Sequence, residues 1–210
     1  MIRIRRDLDE QYMLELCEVF RNPKDDVIIL KPSSPRYFSV GGNLEWIYEL
    51  SPEEKHMKYY LMVLRVAMAI VESPAPVIAD IESSTCYGSG AIIALACDNI
   101  ISNGGAFCFP QMKFGVPFPN FVGELIDRRL RIDPFQFFSG KPISLDLPKF
   151  DHDFTGINKS TLAVSLVNLR KERKRIIEKA IEDDAVDGVR QSWHQFNRLY
   201  EKSRIPIQPT

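Results

Sequence analysis

The chain has 210 residues, 45% hydrophobic and 26% charged, which suits one ordinary globular domain with a full core. A formal net charge of −1 provides no global attraction to nucleic acid or to an anionic membrane surface. The longest apolar run, around Ala91 to Ala96, is far too short to span a bilayer.

In chain order, Ile2 to Arg5 alternates as a short strand; with no apolar segment behind its basic residues it does not read as a signal peptide, so a cytoplasmic protein is expected. Leu8 to Phe20 places Leu8, Tyr12, Leu16, Val19 and Phe20 at helical spacing, ended by Asn22-Pro23. Val27 to Leu30 is a fully apolar strand of the kind buried on both faces of a parallel sheet. Lys31 to Gly42 reads as a Pro-, Ser- and Gly-rich loop, and Asn43 to Leu50 as a helix. Ser51-Pro52-Glu53-Glu54 is a helix start with a capping box. That helix runs to about Glu72, with Tyr60, Leu61, Leu64, Ala67, Met68 and Val71 as its apolar side. Pro76 to Ile81 is a second apolar strand, and Ile100-Ile101 and Phe107 to Phe109 are further short ones. Pro134 to Ser139 starts a helix, Leu145 to Gly156 is irregular, and Asn158 to about Lys202 is helical with Leu162, Leu166, Leu169, Ile176 and Ala180 as its stripe. Helices alternating with apolar strands make this an α/β protein, with no repeat visible in the sequence.

Two loops between a strand and a helix carry paired glycines: Phe38 to Leu44, containing Gly41-Gly42, and Tyr87-Gly88-Ser89-Gly90. Glycine permits positive φ and close approach of a ligand, and the helix that follows supplies unpaired N–H donors. Two such turns side by side can direct two N–H groups at one oxygen; each also fits a plain tight turn. Neither contains G-x-x-x-x-G-K-[ST], Gly88-Ser89-Gly90 lacks the third glycine of a dinucleotide site, and Ser89 is outside a G-x-S-x-G elbow. Cys17, Cys86, Cys97 and Cys108 lie among apolar neighbours without C-x-x-C spacing, so buried thiols are expected and a metal site is not.

Four ordered motifs, Arg36 to Leu44, Ser73 to Ala79, Cys86 to Asp98, and Ala106 to Pro110 with Gly115-Val116-Pro117, resemble the crotonase (enoyl-CoA hydratase/isomerase) superfamily over roughly residues 8 to 130. The resemblance implies a crotonase-like spiral of ββα units over 1–140. It implies a C-terminal helical region, 141–210, that assembles trimers or hexamers. It further implies an acyl thioester substrate, carried on CoA or the phosphopantetheine of a carrier protein, with no separate cofactor. By motif position the backbone oxyanion hole would be Gly42 and Ser89. Arg36, Phe38, Val40 and Gly88 would line the carrier side.

The departures are specific. Where hydratases of the superfamily hold two glutamates this chain has Ile92 and Gln111, and at a further carboxylate position used by some members it has Asn120. None of these can act as a base near neutral pH. Hydration is therefore not expected; decarboxylation or isomerisation, which need enolate stabilisation and a proton donor, remain. Candidate donors are Tyr87, His56, Lys55 and His152. Asp80 and Glu82 share one face of their strand and are further acid/base candidates. A second reading is a non-catalytic acyl-binding or partner subunit of a hetero-oligomer; a protease on a related spiral is a remote third. The basic run Arg170 to Arg175 fits CoA phosphates, an acidic carrier protein or nucleic acid, but better the solvated face of an amphipathic helix. No nucleic-acid or membrane partner is expected.

Overall fold

The computed structural model describes residues 1–114, 116, 118–147 and 157–182. Four times in succession the chain lays down two strands and then a helix. The first turn is β1 (Ile2–Ile4), β2 (Asp7–Leu8) and α1 (Glu10–Arg21). The second is β3 (Ile28–Pro32), β4 (Tyr37–Ser39) and a short continuation, β5 (Gly41–Gly42), followed by α2 (Leu44–Glu49), α3 (Pro52–Glu54) and α4 (Leu61–Glu72). The third is β6 (Val77–Glu82), β7 (Thr85–Tyr87) and α5 (Ser89–Ala96). The fourth is β8 (Asn99–Ser102), β9 (Ala106–Cys108) and, after a 3-10 turn over Pro110–Phe114, α6 (Asn120–Leu130). A 3-10 segment (Pro134–Ser139), β10 (Ile143–Ser144) and the long α7 (Lys159–Glu182) complete the described chain.

The first strands of the turns form one parallel sheet, β1-β3-β6-β8. The second strands β4, β7 and β9 form another, parallel except for β10 added antiparallel at its edge, and β2 pairs with β5. Each turn thus advances by one strand spacing, about 4.8 Å, and the result is a crotonase-like spiral. The equivalent loops of successive turns consequently lie side by side.

Local chemistry explains most boundaries. The Asp9 carboxylate accepts from the Tyr12 N–H at 2.8 Å and starts α1. Asn43 does the same for α2 through the Trp46 N–H at 3.0 Å. The capping box is complete, with Ser51 Oγ accepting from the Glu54 N–H at 3.2 Å and Glu54 accepting from the Ser51 N–H at 3.0 Å. Between α3 and α4 the chain widens into a π-helical turn, Lys55–Tyr60, which the periodicity did not announce. α4 is buried nearly all round rather than along one stripe, because it is sandwiched between α1, α5 and α7.

Several expectations need correction. The loop expected over Lys31 to Gly42 contains β4 and β5, and β7 stands where only a turn was expected. β3 is fully buried on one face only, with Ile29 and Lys31 half-covered. α6 was not foreseen, and Pro134–Ser139 is 3-10 rather than α-helical. The irregular stretch and the long terminal helix are described only to Leu147 and from Ile157 to Glu182; His152 and the remainder lie outside the described residues. All four cysteines are buried free thiols, and burial pushes Cys97 up to about 12.

The largest correction concerns the basic run. Leu169 is 75% exposed, whereas Arg170 and Arg173 are 3% and 6% exposed. They occupy the core-facing side of α7 together with Leu166, Ile176 and Ile177. Their target is Asp98, directly after α5. Arg170 Nε donates to its carboxylate at 2.7 Å and Arg173 at 2.6 Å, while the Val77 N–H donates at 2.8 Å. Other guanidinium hydrogens serve carbonyls at helix ends, Val71 and Ser73 for Arg170 and Ala96 and Cys97 for Arg173, and Arg170 also reaches the Ala75 carbonyl in the loop before β6. Arg129 from α6 adds bonds to the Cys97 and Asp98 carbonyls at 2.7 and 3.1 Å. Negative helix C-termini thus compensate the positive charge that one carboxylate cannot. Burial, reinforced by repulsion from Arg173, brings Arg129 down to about 10. Burial alone would raise Asp98; the Arg170 hydrogen bonds and the charges of Arg170 and Arg173 outweigh it and hold the carboxyl below its ordinary value.

Asp98→Asn should cost about 3–5 kcal/mol by leaving two buried guanidiniums without their counter-charge, read as a lower urea midpoint; a loss under about 1 kcal/mol would show the cluster to be dispensable. Because the folded pKa of Asp98 is depressed, its contribution is complete above the unfolded aspartate value near ~4 and is lost as pH falls through the lower folded value. The stability gap between wild type and Asp98→Asn should therefore be constant at neutral pH and narrow below pH ~4.

Candidate active site

The two glycine turns belong to consecutive turns of the spiral and meet. A Cβ on Gly41 would lie 3.0 Å from the Tyr87 carbonyl oxygen and 3.4 Å from the Ser89 nitrogen. Gly41 also takes φ 88°, where a side chain is strained. On Gly90 a Cβ would lie 2.8 Å from Ser39 Cβ, so α5 packs directly on the end of β4. Ser39 joins the pieces: its hydroxyl donates to the Arg6 carbonyl at 2.9 Å and accepts from the Gly41 N–H at 3.1 Å.

Ser89 is the first residue of α5, where backbone N–H groups have no partner within the helix. Gly88, at φ 49°, turns the chain into it, and a side chain there would meet open space. β5 ends at Gly42, next to the Gly41 that packs against Ser89.

A residue that sequence reasoning missed sits between them. The Tyr59 hydroxyl donates to Ser89 Oγ at 3.1 Å and receives a hydrogen bond from the Gly42 backbone. Its ring covers Gly42 so closely that a Cβ there would lie 2.4 Å from Tyr59 Cε2 and 2.4 Å from Ile47 Cδ1. Trp46 supports the ring edge-on at 6.1 Å. Burial raises the phenol above its ordinary value, with the Ser89 and Gly42 hydrogen bonds opposing, so Tyr59 is protonated at neutral pH. Tyr59 comes from the π-helical turn, where an extra residue per turn shifts side chains off the α pattern. A 3.6-residue reading could not have aimed it at the site.

The proton-donor candidates fare differently. Tyr87 packs edge-on against Tyr37 at 5.9 Å, and burial raises its pKa, with a hydrogen bond to Thr85 opposing. Lys55 is fully buried and its ammonium donates to the Tyr48 and Leu50 carbonyls, closing the C-terminal end of α2. Burial lowers its pKa, and two of its three ammonium hydrogens are engaged in this cap. The His56 backbone lies in the π turn and its side chain is outside those described; His152 is outside altogether. Asp80 and Glu82 share a face, as alternation required, and both pair with Lys31, at 3.0 and 3.3 Å.

Ile92 is buried in α5 and Asn120 is exposed at the start of α6. Gln111, in the 3-10 turn, buries its Oε1 with no hydrogen-bond partner among the described residues. Of the carrier-side residues, Arg36 is exposed, with its guanidinium 5.7 Å from the Tyr37 ring centre, and Val40 is half-buried with its N–H on the Arg6 carbonyl. Phe38 is fully buried in the core. Among the described residues no cluster of three or more His, Cys, Asp or Glu could hold a metal ion, and no helix is long and apolar enough to cross a membrane.

Comparison with known proteins agrees with this geometry. No curated protein matches the sequence. Solved structures share the fold at low identity. The enoyl-CoA hydratase from Bacillus halodurans superposes with a TM-score of 0.75 at 16% identity, covering 93% of this chain and 90% of that one. An enoyl-CoA hydratase/isomerase from Mycobacterium paratuberculosis gives 0.74 at 16% identity, covering 93% and 89%. The human mitochondrial delta3-delta2-enoyl-CoA isomerase gives 0.67 at 15% identity, covering 94% and 90%. The profile of one sequence family, enoyl-CoA hydratase/isomerase, matches residues 3–130, the stretch that builds all four turns of the spiral and both glycine turns, and the chain therefore belongs to that family.

Proposed function

We propose that this protein binds an acyl thioester, on CoA or on a carrier-protein phosphopantetheine, and stabilises its enolate between the Gly42 and Ser89 N–H groups. The observation that carries this reading is the meeting of the two glycine turns, with Gly41 packed against the Ser89 nitrogen at the start of α5. Two backbone N–H groups brought together at the start of a buried helix suit a carbonyl oxygen that gains charge during reaction.

The side chains favour decarboxylation or isomerisation over hydration. Adding water requires a base for the water and an acid for the α-carbon, and Ile92, Gln111 and Asn120 offer neither. In decarboxylation the bond from the α-carbon to the carboxylate breaks, its electron pair moves into the enolate, CO2 leaves, and the α-carbon then takes a proton. Only the enolate oxygen needs fixed stabilisation. Exposed Arg36 is available to the phosphates of the carrier. Assembly into trimers or hexamers would cover the apolar outer side of α7, where Val164, Val167 and Leu169 are 64%, 65% and 75% exposed.

A second reading, a non-catalytic acyl-binding or partner subunit of a hetero-oligomer, is favoured by one observation: the Tyr59 ring covers Gly42 and its hydroxyl is bonded to Ser89 Oγ. Mass spectrometry of malonyl-type and 3-carboxy-enoyl thioesters, in CoA and carrier-protein forms, separates the two. Loss of CO2 from any of them is expected, and no mass change across both forms, with no shifted double bond in the products by proton NMR, would leave the subunit reading in place.

The N–H of Ser89 can be removed alone. Proline is favoured at the first helical position because that N–H has no helical partner. Ser89→Pro should therefore fold, and should lower turnover by about 10²–10³ relative to Ser89→Ala, which keeps the N–H and loses only the hydroxyl. Equal turnover of the two variants would remove Ser89 N–H from the mechanism.

A further inference from the structure

Two hydroxyls stand where the glycine turns meet. A Cβ on Gly41 would lie 3.3 Å from Ser89 Oγ and 3.4 Å from the Ser89 nitrogen, so both atoms face the first glycine turn. The second hydroxyl is that of Tyr59, which donates to Ser89 Oγ at 3.1 Å. Its ring comes to Ser89 from over Gly42, where a Cβ would lie 2.7 Å from Tyr59 Cζ. Trp46, edge-on at 6.1 Å, holds the ring in that direction. A serine hydroxyl has one proton to give and two lone pairs with which to accept. Because Ser89 accepts from Tyr59, it keeps its own proton for another acceptor, and among the described residues it gives that proton to none.

We propose that the Ser89 hydroxyl protonates the α-carbon after CO2 has left, and that Tyr59 orients this hydroxyl and restores its proton. This rests on the thioester reading above, and it names the proton donor that decarboxylation needs. An oxygen held by the Ser89 N–H has the hydroxyl of the same residue beside it, and the α-carbon of a thioester is the next atom beyond its carbonyl carbon. The steps balance without a base. The bond from the α-carbon to the carboxylate breaks, its electron pair enters the enolate, and CO2 departs. The enolate pair then forms a C–H bond with the Ser89 proton, and the Tyr59 proton passes to Ser89 Oγ. The phenolate takes a proton from water as the product leaves, so each turnover consumes one proton. Burial raises the Tyr59 phenol above its ordinary value, so both hydroxyls begin each cycle protonated at neutral pH. Two neutral hydroxyls can give protons but cannot remove one from carbon. The pair therefore selects decarboxylation over an isomerisation that begins with proton removal.

The test uses the full-length protein with Ser89→Ala, with Tyr59→Phe, which keeps the ring, and with the double variant. Methylmalonyl and 3-carboxy-enoyl thioesters, in CoA and carrier-protein forms, are incubated in D2O, and whichever releases CO2 gives the readout. Deuterium marks where the proton arrives, read by NMR and by chiral analysis of the hydrolysed acid. In wild type it should enter the methylmalonyl product from one face, or the enoyl product at one carbon, by at least about tenfold over the alternative. Ser89→Ala should bring that preference below about twofold, because solvent then supplies the proton. Tyr59→Phe should fall between. The double variant should match Ser89→Ala, since groups acting in series are not additive. A purely structural part for the pair would change the rate of CO2 release and leave the preference as it was. CO2 release with the wild-type preference retained in either single variant, or with none in wild type, would overturn the relay and leave the thioester reading standing. No CO2 release from any of these thioesters by wild type would remove decarboxylation, and the relay with it.

Discussion

Asp98 and the guanidiniums of Arg170 and Arg173 hold together parts of the fold that would otherwise have no reason to stay in place. α5 is apolar on every side and only eight residues long, so neither a polar face nor its own length orients it. Its orientation comes from its ends. The arginines satisfy the Ala96 and Cys97 carbonyls at its C-terminus, and the glycine turn grips its N-terminus. A helix secured in this way presents its first N–H groups at a fixed position. That fixity is what a site built from backbone donors needs, because donors that must reorganise as charge develops give little stabilisation.

Spiral geometry supplies the rest. One strand spacing separates equivalent points of successive turns, so the strand-to-helix connections of the second and third turns become neighbours although Gly42 and Ser89 are 47 positions apart. The side chains around this pair are a separate matter: Ile92 is buried in α5, Gln111 buries its Oε1, and Tyr59 covers Gly42 and bonds Ser89 Oγ. Backbone geometry and side-chain chemistry are thus separable in this fold, the first being a property of the spiral and the second of a few positions.

Much of this was legible from residues alone. The apolar runs Ile28 to Leu30 and Val77 to Ile81 are strands, and Asp9, Asn43 and Ser51 start helices because their side chains can reach the N–H groups ahead. The glycine pairs marked both turns, since close approach and positive φ exclude other residues there. Other features were hidden for physical reasons. β4, β5 and β7 are two or three residues long, too short to show alternation, and the fourfold repeat of strand, strand and helix leaves no repeated sequence because each turn packs against different neighbours. Arg170 and Arg173 looked like a solvated face because charge predicts exposure unless a buried partner is known, and Asp98 is 72 residues from the nearer one. Tyr59 was invisible because the π turn carrying it breaks the 3.6-residue period on which the reading relied.

The arginine cluster also sets an order on events. Asp98 and the end of α5 belong to the third turn of the spiral, but their counter-charges arrive only with residues 170 to 173. Closing so long a loop is slow compared with forming adjacent strands and helices. As the chain leaves the ribosome, the spiral can therefore be laid down turn by turn while Asp98 stays hydrated and the end of α5 frays. Docking of α7 is the step that dries this end and commits α5. A chain interrupted before residue 170 would have the strands and turns of the site without the rigidity that makes them useful, so the C-terminal helix is a completion signal for the third turn as much as an appendage to it.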